Sequence, residues 1–368
     1  MNYKFLHLIL LFLIVVSNPA CAKENAGGNG MTPDKPSEVT EVKNVIFMIG
    51  DGMGLAQLSY LEAENGWKPT AFSRAQHIAL VSTYSANNKV TDSAASGTAL
   101  STGTKTNNGM LGQTPDGTKL PSIAERASKD GRPVGIVVSC YLQHATPAAF
   151  YAHQKSRSDY EKINGDLLNC GFDVLIGGGT AYTDLEEMKA KNYRTATTLA
   201  EASKIASGRL VLMSASKELP KAPVRGNYIP DATEKALEIL AANSKMTGKG
   251  FFLMIEGSHI DWACEANNRD YLLAEMQDFE RTVKVAMDYA DKNPGTLVVV
   301  TADHETGGLY LRKGASADAV DATFGVRDAH TGVRVPAYFY GTGATDFACL
   351  LDNTGLSKKI AEMMRLPR

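Results

Sequence analysis

Short apolar runs punctuate the chain from residue 43 onward, and amphipathic stretches separate them. The runs at 45–49, 79–83, 134–139, 174–176, 210–213, 251–255, 297–301 and 337–340 are continuous and rich in Val and Ile. Strands covered on both faces read this way, because neither face then needs polar positions. Between them, 121–128, 159–169, 232–243 and 270–291 carry the helical spacing of apolar residues. The alternation predicts one α/β domain over 43–368, with a central, mostly parallel sheet flanked by helices on both faces. No repeat or proline-rich linker divides it.

The apolar run at the N-terminus is different in kind. Lys4 precedes a stretch at 5–16 broken only by His7, and Ala20-Cys21-Ala22 offers a small-x-small cleavage pattern. The stretch is shorter than the ~20 residues that span a bilayer comfortably. Residues 1–22 therefore predict an export signal, and 23–42, rich in Gly, Asn and Pro, a flexible tether. Cys21 leaves a second reading open, a lipid-attachment site. The expected location is periplasmic or secreted, or membrane-anchored as a lipoprotein.

Composition narrows the classes further. The 38 Lys plus Arg and 40 Asp plus Glu give a net charge of -2, with no basic excess to meet a nucleic-acid backbone. Binding to nucleic acid is expected only at terminal phosphates. Cys140, Cys170, Cys264 and Cys349 permit disulfides in an exported protein, with Cys140–Cys170 the first pairing to consider; buried free thiols are equally open. None makes a Cys-x-x-Cys pair, which argues against a thiolate zinc site.

The residues that carry chemistry stand where strands end, which is where open α/β sheets bind ligands. The run at 45–49 leads into Gly50-Asp51-Gly52-Met53-Gly54. That at 251–255 leads into Glu256-Gly257-Ser258-His259-Ile260-Asp261, and 297–301 into Ala302-Asp303-His304-Glu305. A single acid after a strand usually caps a turn. Three strands that each deliver a carboxylate point instead to metal binding, and oxygen with imidazole suits Zn²⁺, Mg²⁺ or Mn²⁺. Ser93, in Thr91-Asp92-Ser93-Ala94-Ala95, opens a run of small residues that reads as the start of a closely packed helix. Such a Ser can be merely an N-cap, yet a helix N-terminus also receives anions. With no Gly-x-Ser-x-Gly elbow, its activation would fall to a metal.

These blocks, together with Ala329-His330-Thr331-Gly332, resemble the motifs of the alkaline phosphatase family in the same order over roughly 43–343. The family comprises metal-dependent phosphomonoesterases of the alkaline phosphatase superfamily. The resemblance implies hydrolysis of small phosphate monoesters through a phosphoserine on Ser93, with an alkaline optimum. It implies one Zn²⁺ site from Asp51, Ser93, Asp303 and His304, and a Mg²⁺ site from Asp51, Thr146 and Glu256. A second Zn²⁺ site would use Asp261, the residue four positions on, and His330. That residue is Glu265 where the family has His. Glu265 either ligates as a carboxylate or faces solvent, and both weaken the Zn²⁺ preference. The alternative function that follows is a catalytically weakened phosphate- or metal-binding protein. Arg157 matches the family's phosphate-clamping arginine. Asp92, His144 and Trp262 are expected to support the metals from behind, and His153 and His259 to belong to the scaffold. Homodimers are common in the family. A sulfatase on this scaffold would need a Cys/Ser-x-Pro-x-Arg motif, which the chain lacks. Phosphodiesterase and phosphomutase relatives generally carry Thr in place of Ser93.

Overall fold

The computed structural model describes residues 41–316 and 319–367. The expected signal at 1–22, Cys21 and the tether up to residue 40 lie outside them. In chain order the strands are β1 Asn44–Gly50, β2 His77–Ser82, β3 Val134–Tyr141, β4 Val174–Gly178 and β5 Arg194–Ala196. There follow β6 Leu210–Met213, β7 Phe252–Gly257, β8 Thr296–Thr301, β9 Glu305–Thr306 and β10 Leu309–Lys313. The last four are β11 Val320–Phe324, β12 His330–Thr331, β13 Val335–Gly341 and β14 Leu350–Asp352.

Ten strands form one sheet in the order β14-β2-β13-β8-β1-β7-β3-β4-β6-β5. Each runs parallel to its neighbours except β13, which is antiparallel to β8 and β2. All eight strands read from the apolar runs are present. The edge strands β5 and β14 are additional, as are the small antiparallel pairs β10–β11 and β9–β12. The central strands β7 and β8 are buried along their whole length, and β1 from Val45 onward. Helix Arg269–Lys292 packs on β7, β1, β8 and β13, and helix Tyr228–Thr247 on β3 and β4. Phe47 and Phe252 both pack against Phe150, at centroid distances of 6.2 Å. Burial of each such ring contributes about 1.5–3 kcal/mol.

Register decides where the site forms. Ile49 of β1 pairs with Glu256 of β7 and Thr301 of β8, and Glu256 also pairs with Val138 of β3. The carboxyl ends of β8, β1, β7 and β3 are therefore level, and the residues just beyond them emerge side by side. The small-residue run folds as helix Ser93–Thr102, capped by Asp92, whose Oδ1 accepts from Ala95 N at 3.0 Å. A Cβ at Gly97 would stand 3.0 Å from the Ala149 methyl, so small residues let this helix lie close to the segment bearing Thr146.

Of the two readings open for the cysteines, the free-thiol one holds and the Cys140–Cys170 pairing does not form: Cys140, Cys170, Cys264 and Cys349 are all free. One buried ion network braces the site from below. Arg225 pairs with Glu275 and with Asp278, the latter at 2.7 Å, and all three side chains are at most 3% exposed. Glu275 also accepts from Ala222 N, and Tyr271 on the same helix meets His259 Nδ1 at 2.9 Å. The network thus ties helix Arg269–Lys292 to the helix that carries Asp261. Arg225→Ala would leave buried Glu275 without its cationic partner, while Asp278 keeps Arg281 at 2.8 Å, and a loss of about 3–5 kcal/mol is expected. A downward shift of the urea midpoint is the measurement; an unchanged midpoint would contradict the account.

Candidate metal centre

Asp51 directly follows β1, and the chain then turns at Gly52, whose φ of +72° favours glycine. A Cβ at Gly52 would also stand 3.0 Å from the Asp261 backbone, so the turn brings Asp51 and Asp261 close together. Asp303 and His304 follow β8. His304 Nε2 lies 3.2 Å from Asp303 Oδ2, 3.4 Å from Asp51 Oδ1 and 3.2 Å from Ser93 Oγ. Four donors around a tetrahedral ion at ~2.0 Å have edges of about 3.3 Å. The structure therefore brings Asp51, Ser93, Asp303 and His304 together at ligand spacing.

Asp261, His304 and His330 form a second group, with ligand atoms within 4.8 Å of one another. His330 Nε2 is 3.7 Å from Asp261 Oδ1, and the two imidazoles stack at 3.5 Å. The other nitrogens are occupied. His304 Nδ1 meets the Thr306 hydroxyl at 3.1 Å, and that hydroxyl donates to Asp261. His330 Nδ1 donates to the Thr91 carbonyl at 2.9 Å. In the neutral imidazoles these contacts leave both Nε2 lone pairs facing the site, whereas without a cation the buried carboxylates favour a protonated His304. Since His304 Nε2 belongs by distance with Asp51 and Asp303, Asp261 and His330 have room for a further donor.

Glu265 is not part of that group. It shares helix His259–Glu265 with Asp261 and is half-buried; burial first, then Asp261 and Asp328, pushes its carboxyl up to about 7. Thr146 Oγ1 lies 3.5 Å from Asp51 Oδ2, and Glu256 is fully buried beside them. Cys140 and His144 join Glu256 in a third group. Trp262 stacks edge-on against His144 at 5.6 Å and also packs on His259. His259 itself is bound to Tyr271 and the Ser139 carbonyl, and His153 to Glu125 and the Gly112 carbonyl, so both serve the scaffold.

Electrostatics identify what the cluster suits. Asp51 Oδ1, Asp303 Oδ2 and Glu256 Oε1 are buried without a hydrogen-bond partner. Burial, then repulsion from Asp303, Asp261 and Glu256, pushes the Asp51 carboxyl well above its usual range. Burial likewise raises Glu256 to about 7. Burial opposes ionisation of Asp303 as well, yet the His304 charge and N–H bonds hold it below the ordinary value. Uncompensated buried carboxylates cost several kcal/mol, and divalent cations fit this oxygen–imidazole donor set.

Arg157 stands at the open side. Its Nη1 lies 3.2 Å from Asp92 Oδ2 and its Nη2 donates to His144 Nε2 at 3.3 Å. Asp92 thus aims the guanidinium with one oxygen while it caps the Ser93 helix with the other.

A family profile described as alkaline phosphatase matches residues 42–219 and 213–324. The chain belongs to the alkaline phosphatase family. Alkaline phosphatase 4 of Bacillus subtilis is 36% identical over 301 residues, 75% of this chain and 64% of that protein. The chain thus spans less than two thirds of that relative. The solved alkaline phosphatase of the Antarctic bacterium TAB5 superposes with a TM-score of 0.84 at 34% identity, covering 89% of this chain and 100% of that one. A TAB5 variant solved with Mg bound in its M3 site gives the same TM-score and identity, over 90% and 100%.

Sequence reasoning for the alkaline phosphatase motifs overlooked Thr306 and Cys140. Thr306 follows Asp303-His304 by two positions, a usable signal; Cys140 carried none except its place at the end of a strand.

Metal removal should expose the cluster as a pH-dependent weakness. Glu256 has a folded pKa raised from 4.5 to about 7, so its contribution is full below 4.5 and lost as pH rises through about 7. In chelator-treated protein, Glu256→Gln should gain thermal stability relative to wild type across that window. Parallel melting curves at both ends would refute this.

Proposed function

We propose that the chain hydrolyses small phosphate monoesters through a phosphoserine on Ser93. The observation that carries the reading is Ser93 Oγ at 3.2 Å from His304 Nε2, on the rim of the Asp51/Asp303/His304 group. Zn²⁺ at the Asp51/Ser93/Asp303/His304 and Asp261/His330 sets, with Mg²⁺ at Asp51/Thr146/Glu256, would supply positive charge to the entering and leaving oxygens of an in-line displacement. The Mg²⁺ assignment is supported by the hard oxygen donors of that set.

Ser93 sits on the first turn of its helix, where backbone N–H groups favour an anion. Its Oγ attacks phosphorus as the bond to the leaving alcohol breaks, and water then releases phosphate from the serine. Arg157 presents two parallel donors to the non-bridging oxygens, and Asp92 fixes their direction. The phosphate is gripped on every side while few groups address the alcohol, which supports a broad range of small esters. Export, with either secretion or a lipid anchor at Cys21, belongs to the same reading and rests on residues 1–22 alone. A homodimer is the proposed assembly, on family habit.

Ser93→Ala should abolish phosphoserine trapping at low pH and remove most turnover, while bound metal stays near wild type. Trapping or wild-type turnover in the variant would overturn the assignment. Arg157→Ala should lower kcat/KM by about 1.5–3 kcal/mol, roughly ten- to 150-fold, and weaken phosphate inhibition. Unchanged inhibition would count against the clamp. Glu265→His should tighten Zn²⁺ at the Asp261/His330 set, because it restores a nitrogen and removes a negative charge. Metal titration of both proteins decides it: equal affinities would show that Glu265 does not weaken that set.

A further inference from the structure

The third group contains a sulfur that an all-oxygen Mg²⁺ site does not use. Cys140, the penultimate residue of β3, is fully buried, and its Sγ lies 3.3 Å from Glu256 Oε2. An imidazole nitrogen of His144 lies within 4.8 Å of both. Two atoms of this group are buried and without partners: Glu256 Oε1 and His144 Nδ1. With sulfur at ~2.3 Å and oxygen at ~2.0 Å, a tetrahedral zinc ion has a sulfur–oxygen edge of about 3.5 Å. The observed separation is close to that edge.

We propose that Cys140, His144 and Glu256 form a thiophilic cation site, at which Zn²⁺ or Cd²⁺ displaces the Mg²⁺ that the neighbouring oxygen donors favour. Binding breaks the Cys140 S–H bond, forms a sulfur–metal bond and sends one proton to solvent per ion. Ligation by His144 Nδ1 moves the imidazole proton to Nε2, which then no longer accepts from Arg157 and releases Nη2 toward phosphate while Asp92 keeps Nη1. The inference deepens the third site of the function proposed above, and its readout is optical, so it stands or falls apart from turnover.

The test is Cd²⁺ titration of full-length protein loaded with two equivalents of Zn²⁺ and one of Mg²⁺. A sulfur-to-cadmium charge-transfer band should grow to one equivalent as one Mg²⁺ is released. Cys140→Ser should lack the band, whereas Cys264→Ser, which removes another fully buried thiol, should keep it. Retained Zn²⁺ and an unchanged melting temperature show that Cys140→Ser is folded, and Cys140→Ala replaces it if it is not. Absence of the band in wild type, or its survival in the folded Cys140 variant, would overturn the proposal. A band in protein that fails to turn over phosphate esters would leave this site standing and sink the phosphatase reading.

Discussion

Four carboxylates crowded into one buried space govern this molecule. Asp51, Glu256, Asp261 and Asp303 are each at most 4% exposed, and Asp51 is repelled by the other three. The protein's own cations soften this only in part, through Arg157 at the mouth and His304 within. Such a cluster is tolerable when divalent ions complete it, so ion binding and folding share one free energy. The level ends of β8, β1, β7 and β3 create the crowding, and the surrounding hydrogen bonds determine which atoms face inward.

Those surrounding bonds are economical. One hydroxyl, Thr306, orients both His304 and Asp261, and one carbonyl, Thr91, sets the tautomer of His330. Asp92 does two tasks with its two oxygens. Gln57 and Glu305 add a layer behind: Gln57 donates to Glu305 at 2.9 Å and to the Thr306 carbonyl at 2.8 Å, which steadies the turn below the histidines. Apart from the local Thr306–His304 contact and the Asp92 cap, these links cross 45 or more positions, so no local propensity could build them.

That separation explains what could be read in advance. The buried strands announced themselves because burial on both faces leaves uninterrupted Val and Ile, as in Leu297 to Thr301. The edge strands β5 and β14 did not, being three residues long with exposed positions that carry no period. Asp51, Asp303 and His304 were legible because they follow strands directly. Cys140 was opaque for the opposite reason: without a second cysteine nearby it gave no spacing to read, and its contact with Glu256 comes from strand pairing across 116 positions. Glu265 was legible as a departure from family pattern, but its half-buried place beside Asp261 and Asp328 emerges only in the fold.

The reversed direction of β13 has a consequence for how such a protein can change over generations. Because β13 runs antiparallel to β8, it enters the sheet at the same edge where β8 leaves. The intervening chain, with Asp303, His304 and His330, therefore stays on one rim and need not pass over a face of the sheet. Lengthening such a segment costs little, since closure entropy grows only slowly with loop length. New material can be spliced in between the two histidines while the scaffold keeps its register. The rim thus admits added length while the ligand cluster at the strand ends keeps its geometry.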